Sequence, residues 1–449
     1  MQKLGKLEKL LFYLFIFSIP LQTRKVLFFP DKFIEWNSVF LYFTDLLLIS
    51  LLILWIRRLI LEKSKFLQKS DLLLLGFLAI AALSLITSQN IGLSIYQLIK
   101  LVEFILLFLY IKNNLDFFNL RKALWLFVTS GFFQSIIAIG QFFSQSSLGL
   151  KHFEAGTYNA NIPGVATFFV NGVKFIRAYG TAPHPNVLGV FIFFSIFCLY
   201  FLSLTRMTRI GMRMMQIVAL FILILGLFLT FSRAVIIVFA LTSFCLFVVV
   251  WFRKFFERKK ICGLFILVVV FCSLFVILFW PEFQARFSAI SPEDQAVSLR
   301  VYYNDIALSS IKEKPFLGLG LGNFVWYLLN NYHFKEFWLY QPVHNLYLLI
   351  ASEMGIFGLI VFLIFVVRIL LGSFNLFFKR QILDNKRLVL LVFYSLFFAF
   401  LVLSFIDHYF WTIQQSRLIF WIVLGIASGL SLSGPHSLTD KTSPSGGED

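Results

Sequence analysis

The histidines of this chain lie where apolar sequence is interrupted. His344 is the clearest case, because it ends a polar segment and the apolar run 345–371 follows directly. A neutral imidazole can accept a proton near neutral pH, so a histidine at such a boundary could act as a general base. The structural alternative is a polar residue that caps or hydrogen-bonds the start of a helix.

Three arginines could bind an anion near such a base. Arg177 lies in KFIRAYGT on the second strand of a predicted hairpin, Arg233 in LTFSRAV between two apolar runs, and Arg300 on a predicted loop helix. Guanidinium groups pair well with phosphate oxygens, and several facing one cavity would suit a pyrophosphate. Alternatively, each arginine anchors a span end at the lipid headgroups. Arg233 fits that alternative least well, because an arginine at membrane depth needs an anionic partner.

Other polar residues near these positions carry weaker signals. His184 and Asn345 are possible substrate contacts. His184 also opens the segment HPNVLG, whose proline and asparagine are typical of a helix start, and we favour that structural interpretation. Glu353 lies nine residues after His344, on a different helix face, and we expect it to pair inside the helix bundle.

Two further features have simple explanations. GLGLGNF at 318–324 lacks the spacing and flanking strand of a dinucleotide site, so we expect its glycines to permit a tight turn or close backbone approach. Asp407 beside His408 is either a second polar cluster or a span end. The four cysteines show no CxxC or paired spacing, so we expect no disulfide, no metal site and no cofactor.

The elements that position these residues are membrane helices. The chain has 449 residues, of which 59% are hydrophobic and 14% charged. Its apolar runs have the length of about 17–25 residues that crosses a bilayer, whereas a β-barrel would show short alternating strands. We therefore predict an all-α polytopic membrane protein with about twelve transmembrane helices, near 10–22, 38–56, 71–87, 91–111, 123–143, 187–204, 214–230, 234–252, 262–280, 345–371, 388–406 and 417–432.

The basic residues predict the topology. The net charge of +17 is carried mainly by short loops between spans, which indicates a lipid bilayer as partner and no nucleic acid. With a cytoplasmic N-terminus, 24 Lys and Arg residues fall in inside segments and 13 in outside segments. This predicts that both termini are cytoplasmic. It also predicts that five histidines lie on the outer side, namely His152, His184, His333, His344 and His408.

The predicted spans separate two large extracytoplasmic loops. The first contains a β-hairpin that turns at Asn171-Gly172. The second contains a helix that starts at a capping box on Ser291 and runs to about Ile311. We divide the chain into helices 1–5 (1–145), the hairpin loop (146–186), helices 6–9 (187–280), the second loop (281–344), helices 10–12 (345–432) and a disordered cytoplasmic tail (433–449).

The ordered set of these motifs resembles the O-antigen ligase and polymerase superfamily. IRAYGTAPHPNVLG is followed by LTFSRA, then by Arg300 and KPFLGLGLGNF, and finally by HNLYLLIASEMGIFGL. IPLQTRKVLFF and YFTDLLL near the N-terminus are further points of similarity. The resemblance covers nearly the whole chain except its tail.

The resemblance implies a metal-independent, inverting glycosyltransferase with a GT-C-like bundle in the bacterial cytoplasmic membrane. Such proteins act on the extracytoplasmic face and move a glycan from undecaprenyl pyrophosphate to a glycolipid or glycan acceptor. Carried over by motif, His344 is the general base, and Arg177 and Arg233 hold the pyrophosphate. Arg300 matches a recurrent loop arginine, which we also assign to the pyrophosphate.

Two other classes of function are weighed against glycan transfer. A transporter or flippase for lipid-linked glycans would also need many spans and a basic outer cavity, but no inverted repeat is visible. A membrane scaffold would not need titratable groups clustered on one side. Within the enzyme class, the sequence leaves ligase and repeat-unit polymerase open, because the acceptor is recognised by the shape of the loops.

Overall fold

The computed structural model of the chain describes residues 2–29, 33–64, 66–68, 71–154, 156–205, 210–253, 258–288, 295–377 and 384–432. The capping box at Ser291 and the tail 433–449 lie outside the described residues. The N-terminal helices are α1 Gln2–Ser18, α2 Phe43–Glu62, α3 Leu72–Leu83, α4 Ile91–Asn113 and α5 Leu120–Ser144. The later helices are α6 Pro185–Thr205, α7 Ile210–Leu229, α8 Arg233–Arg253, α9 Arg258–Leu278, α10 Trp280–Ser288, α11 Gln295–Glu313, α12 Phe324–Asn331, α13 Leu346–Phe377, α14 Asp384–Leu403, α15 Tyr409–Thr412 and α16 Gln414–Leu432.

The chain is a helical membrane protein, as predicted. Among the described residues, eight helices are long and apolar enough to cross a membrane, namely α4 to α9 and the segments Leu346–Gly372 and Lys386–Leu403. Helices also cover the other four predicted spans, but α1 has only 17 residues. Three of them carry charged residues, such as Glu8 in α1, Asp45 in α2 and Arg417 in α16. The count of twelve transmembrane helices therefore stays a prediction.

Helix α6 forms the centre of the bundle. All of its membrane-length window is buried, and it packs against α5, α7, α8, α14 and α16. A helix that is apolar on every side must be surrounded by other helices, and the uniformly apolar sequence of α6 meets that condition. Because α6 begins directly after His184, this central helix fixes the position of the HPNVLG segment.

Two small antiparallel sheets lie among the helices. The predicted hairpin is present as β3 Thr167–Val170 and β4 Val173–Ile176. Asn171 and Gly172 both have positive φ, of 48° and 81°, as a two-residue turn of this handedness requires. Arg177 follows β4 directly rather than lying on the strand.

The second sheet was not predicted from the sequence. It pairs β1 Arg24–Phe28 with β2 Val39–Tyr42. We predicted a span over 38–56, but its first residues pair as a strand, and α2 begins only at Phe43. The run VFLY is apolar and short, so its composition did not distinguish a strand from the start of a helix.

The glycines of GLGLGNF lie close to another backbone, as expected. Gly318, Gly320 and Gly322 all have positive φ. The backbone N–H of Gly320 donates to the Glu353 carbonyl at 3.0 Å. At Gly355, which has φ 70°, α13 is interrupted. A Cβ there would lie 2.0 Å from the carbonyl oxygen of residue 316, so only glycine permits this approach.

Candidate active site

His344 and Asp407 form the centre of the candidate site. The Nδ1 atom of His344 lies 3.3 Å from Oδ1 of Asp407. Its Nε2 atom lies 3.2 Å from Oε1 of Gln341. Gln341 is itself held by a 2.7 Å hydrogen bond from its amide nitrogen to the Trp338 carbonyl. When Nδ1–H donates to Asp407, the lone pair of the neutral ring is on Nε2, and Gln341 occupies the position beside Nε2 that a reacting hydroxyl would need.

Asp407 is held as a buried carboxylate. Burial alone would raise its pKa, but the hydrogen bond to His344 and the charges of nearby groups, including Arg300, hold the pKa of Asp407 well below its usual range. Its oxygens also accept the backbone N–H of His408 and the side-chain amide of Asn186, each at 2.9 Å. An ionised carboxylate can fix the orientation of the ring and stabilise the imidazolium formed when His344 takes a proton.

Two further histidines surround Asp407. The ring of His408 lies 4.9 Å from that of His344, and its Nδ1 is 2.6 Å from the Thr412 hydroxyl. His184 Nδ1 accepts the backbone N–H of Asn186 at 3.2 Å. Burial is the main cause that lowers the pKa of both His184 and His408 to about 3, so both are neutral at neutral pH.

We predict that acid destabilises the protein through these histidines. Unfolded histidine binds a proton below its ordinary pKa of 6.5, whereas folded His408 binds one only near pH 3. Between these values the unfolded state binds more protons, so this stability is present above 6.5 and is lost as the pH falls. At about pH 5, His408 should account for about 2 kcal/mol of the loss.

The measurement is the thermal midpoint in detergent at about pH 7.5 and about pH 5. His408→Gln should show a smaller decrease on acidification than the wild type. The exposed residue His333 supplies the control, since His333→Gln should keep the wild-type decrease. Equal acid sensitivity of the wild type and His408→Gln would contradict this account of His408.

The same cluster contains a possible metal-ligand set. Ligand atoms of His344, Asp407 and His408 all lie within 4.8 Å of one another. Two imidazoles and a carboxylate match the donors that zinc accepts. The sequence predicts no metal here, and the same three side chains are accounted for as a base with its orienting groups.

A cluster of arginines lies next to this centre. Arg177 is buried, and its Nε donates to the Thr230 carbonyl at 2.8 Å. Burial is the main cause that lowers the pKa of Arg177 to about 9, and the positive charges of Arg286, Arg300 and Arg233 lower it further. These four guanidinium groups are therefore within electrostatic reach of one another, and a bound anion would relieve their repulsion.

Asn186 connects the arginine cluster to the base. Its Oδ1 accepts hydrogen bonds from the Arg177 guanidinium at 2.6 Å and the Ser232 hydroxyl at 2.8 Å. Its amide nitrogen donates to Asp407 Oδ2 at 2.9 Å. The geometry therefore gives a continuous path from Arg177 through Asn186 and Asp407 to His344. The sequence-based interpretation of Asn186 as a helix-start signal missed this link.

Helix α11 places two more groups beside the centre. Arg300 and Tyr303 are three residues apart on this helix, so they lie on one face. The charge of Arg300 acts on Asp407 and on His408. The ring of Tyr303 lies 6.2 Å from that of His344, and its hydroxyl donates to the Leu339 carbonyl. This helix therefore also holds the segment that carries Gln341.

The structure separates the sequence-predicted residues into three groups. His344 and His184 line one cavity of about 690 Å³. The predicted arginines, Arg177, Arg233 and Arg300, cluster on the far side of Asp407. Asn345 does neither, because its side-chain oxygen accepts the backbone N–H groups of residues 347 and 348 at 3.0 and 3.1 Å and caps α13. Its assignment as a substrate contact has no support in this geometry.

The sequence-based prediction also missed several contributors. Arg286 on α10 was not singled out, although it is a basic residue that follows the apolar run 262–280. Glu353 was expected to pair inside the bundle, and it does accept the Trp411 indole N–H at 3.0 Å. It nevertheless lines the same cavity as His344, together with Trp411 of α15 and Arg417 of α16.

The comparisons with known proteins agree with this geometry. Residues 218–363 match the family model described as O-antigen ligase. The matched region contains Arg233, Arg300 and His344, and it ends before Asp407. No curated protein matches the chain. The match over residues 218–363 supports the resemblance to the O-antigen ligase and polymerase superfamily.

Proposed function

We propose that this protein transfers a glycan from undecaprenyl pyrophosphate to an acceptor hydroxyl on the outer face of the bacterial cytoplasmic membrane. The observation that carries the proposal is the hydrogen-bonded path from Arg177 through Asn186 and Asp407 to His344. This arrangement supports the proposal because a group of arginines lies next to an imidazole that is hydrogen-bonded to a carboxylate. A glycosyl phosphate donor and a hydroxyl acceptor need these two groups together.

The reaction is a single displacement at the anomeric carbon. His344 removes the proton from the acceptor hydroxyl as its oxygen attacks the anomeric carbon. The bond from that carbon to the phosphate oxygen breaks, and the pyrophosphate leaves with the electron pair. Because the oxygen attacks from the face opposite the leaving group, the anomeric configuration inverts. No nucleotide or metal is needed in this scheme, since the sugar–phosphate bond already stores the activation.

The arginines act on the leaving group. Charge develops on the pyrophosphate as the bond breaks, and guanidinium groups that already lie within electrostatic reach of one another would stabilise it. The hydrogen bonds of Arg177 go to uncharged acceptors among the described residues. A bound anion could therefore form an ion pair with the Arg177 guanidinium without displacing a carboxylate from these hydrogen bonds.

An apolar groove offers a place for the polyprenyl chain. A groove of about 580 Å³ runs between α8, α13 and α14 and is lined by residues such as Leu241, Leu371 and Phe398. Helix α8 begins at Arg233, and the groove is lined by later residues of the same helix, from Val238 to Cys245. A lipid pyrophosphate could thus place its headgroup on the arginines and its tail in the groove.

We favour a ligase-like transfer to a glycolipid, with the repeat-unit polymerase as the alternative. The two differ only in the acceptor. The experiment uses purified full-length protein in liposomes with undecaprenyl-pyrophosphate glycan. The acceptor is either the source cell's own membrane glycolipid or a second molecule of donor. We expect release of undecaprenyl pyrophosphate and a glycosylated glycolipid.

The other outcomes are equally distinct. Elongation of the second donor would favour the polymerase. Movement of donor across the liposome membrane with no release of undecaprenyl pyrophosphate would contradict the enzyme and favour a transporter. A protein that does neither would contradict both.

Replacing Arg300 with Met should lower transfer by about 10²-fold and raise the donor KM, because one stabilising charge at the pyrophosphate is lost. Lys312→Met is the matched control, since Lys312 is an exposed cation on the same helix. The measurement is the initial transfer rate against donor concentration. A donor KM and rate equal to those of the control would contradict the role of Arg300.

A further inference from the structure

The cavity beside His344 does not contain the arginine cluster. None of Arg177, Arg233, Arg286 and Arg300, all of which the structure describes, lines it. His344 is therefore at a boundary, with the cavity on one side and the path through Asp407 to the arginines on the other. Because the base must touch the acceptor hydroxyl, the cavity is on the side that the acceptor would occupy. This step rests on the proposed function.

We propose that this cavity binds the acceptor as a neutral, hydroxyl-rich glycan, held against the indole rings of Trp36 and Trp338. The cavity of about 690 Å³ is within the range of about 300–1,000 Å³ that is usual for small-molecule sites. It lies between the β1–β2 sheet, residues 157–165 and residues 337–342.

The two tryptophans are placed as binding surfaces. Both line the cavity and are partly exposed. The ring of Trp36 meets that of His408 edge-on at a centroid distance of 5.1 Å, and the His408 ring in turn lies 4.9 Å from that of His344. Trp338 is packed against Gly164, where an added Cβ would lie 3.4 Å from the Trp338 Cβ. An indole offers a rigid apolar face and one N–H donor, which suits a sugar ring with its C–H face and its hydroxyls.

Charged groups of the cavity form ion pairs with one another. Arg24 and Glu35 form a two-bond ion pair, with one contact of 2.7 Å. Lys100 is bonded to two carboxylates, those of Asp45 at 2.6 Å and Glu103 at 2.7 Å. Such pairs present donors and acceptors without a large net charge, which favours hydroxyl groups over a second pyrophosphate.

Two further charged residues of the cavity, Arg417 and Glu353, are also of opposite sign. Arg417 and Glu353 both line the cavity and are within electrostatic reach of each other. Arg417 also donates to Oε1 of Gln97 at 2.9 Å. These residues therefore form a polar surface in the cavity. It can hydrogen-bond the hydroxyl groups of a sugar that is stacked on Trp36 and Trp338.

Gln341 supplies the entry point for the reacting hydroxyl. Its Oε1 is 3.2 Å from His344 Nε2, while its amide nitrogen bonds the Trp338 carbonyl. A sugar stacked on Trp338 would displace this side chain and place a hydroxyl at Nε2. Gln341 thus connects Trp338, which binds the sugar, to His344, the base.

The experiment measures acceptor binding separately from transfer. The probe is the delipidated oligosaccharide of the source cell's own surface glycolipid, titrated calorimetrically into purified full-length protein without donor. Trp338→Ala should bind it about tenfold more weakly than the wild type, and Trp338→Phe should recover most of the affinity. Trp280→Ala is the control, because Trp280 is exposed at the start of α10 and does not line the cavity.

A second variant tests the same cavity in case Trp338→Ala does not fold. Thr157 is exposed on the cavity wall, so Thr157→Trp adds bulk there without opening the core. It should also weaken binding about tenfold and raise the acceptor KM, while the donor KM stays unchanged. Wild-type affinity for the oligosaccharide in both Trp338→Ala and Thr157→Trp would overturn this assignment.

The two proposals can fail separately. Transfer by the wild type with an unchanged acceptor KM in both variants would overturn the acceptor site and leave the proposed function intact. If the wild type shows no transfer, the proposed function fails. The calorimetric comparison then still supports or overturns the glycan site by itself.

Discussion

Replacing His344 with Gln should lower the transfer rate by about 10²–10⁴-fold, the contribution typical of a general base. Glutamine keeps a polar side chain of similar reach but cannot take up the proton of the attacking hydroxyl. Asp407, Asn186 and the arginine cluster remain in place, so donor binding should be close to that of the wild type. The measurement is single-turnover transfer at saturating donor, with donor binding measured on the same sample.

The control for this variant is another histidine of the same segment. His333 is exposed, and it is not among the residues that line the His344 cavity. His333→Gln should therefore transfer at the wild-type rate. Transfer by His344→Gln within a fewfold of that control would remove His344 from the role of base.

Replacing Asp407 with Asn should lower transfer by about 10²-fold or more, because the anion that orients and stabilises the protonated imidazole is lost. The substitution nearly keeps the shape of the side chain. An asparagine has one acceptor oxygen, so it can keep either the bond from Asn186 or the contacts to His344 and His408, and one side is lost. The expected change is in kcat, with a smaller change in the donor KM.

The matched control is Asp305→Asn on α11. Asp305 is exposed and lies on the same helix as Arg300, so it tests whether any lost acidic charge in this region slows transfer. It should leave kcat unchanged. A wild-type kcat in Asp407→Asn would show that His344 works without this carboxylate.

Much of the fold could be predicted because lipid restricts what the sequence can form. A long apolar run must satisfy its backbone internally, so α4 to α9 were visible as helices from length and composition. The β3–β4 hairpin was visible because Asn171-Gly172 is a strong turn signal. The β1–β2 sheet was missed because its second strand continues directly into α2, and a helical pattern absorbs such a short apolar strand.

The site could be predicted only in part, for a different reason. His344 and the arginines were found because a titratable or charged residue within apolar sequence is costly and therefore informative. The link between Asn186 and Asp407 was missed because these residues are 221 positions apart, and neither has a motif that points to the other. Glu353 was assigned to a different face from His344 as if both lay on one helix, but α13 begins at Leu346, so His344 lies before the helix and helical spacing does not set its direction.

The anomeric configuration of the product tests the central claim most directly. The account requires His344 to activate the acceptor for one direct attack on the donor sugar. The measurement is the proton coupling at the newly linked anomeric carbon, compared with that of the sugar phosphate in the donor. We predict inversion. Retention of configuration would require an intermediate in which the sugar is bonded to the enzyme, and it would contradict His344 as the base of a single displacement.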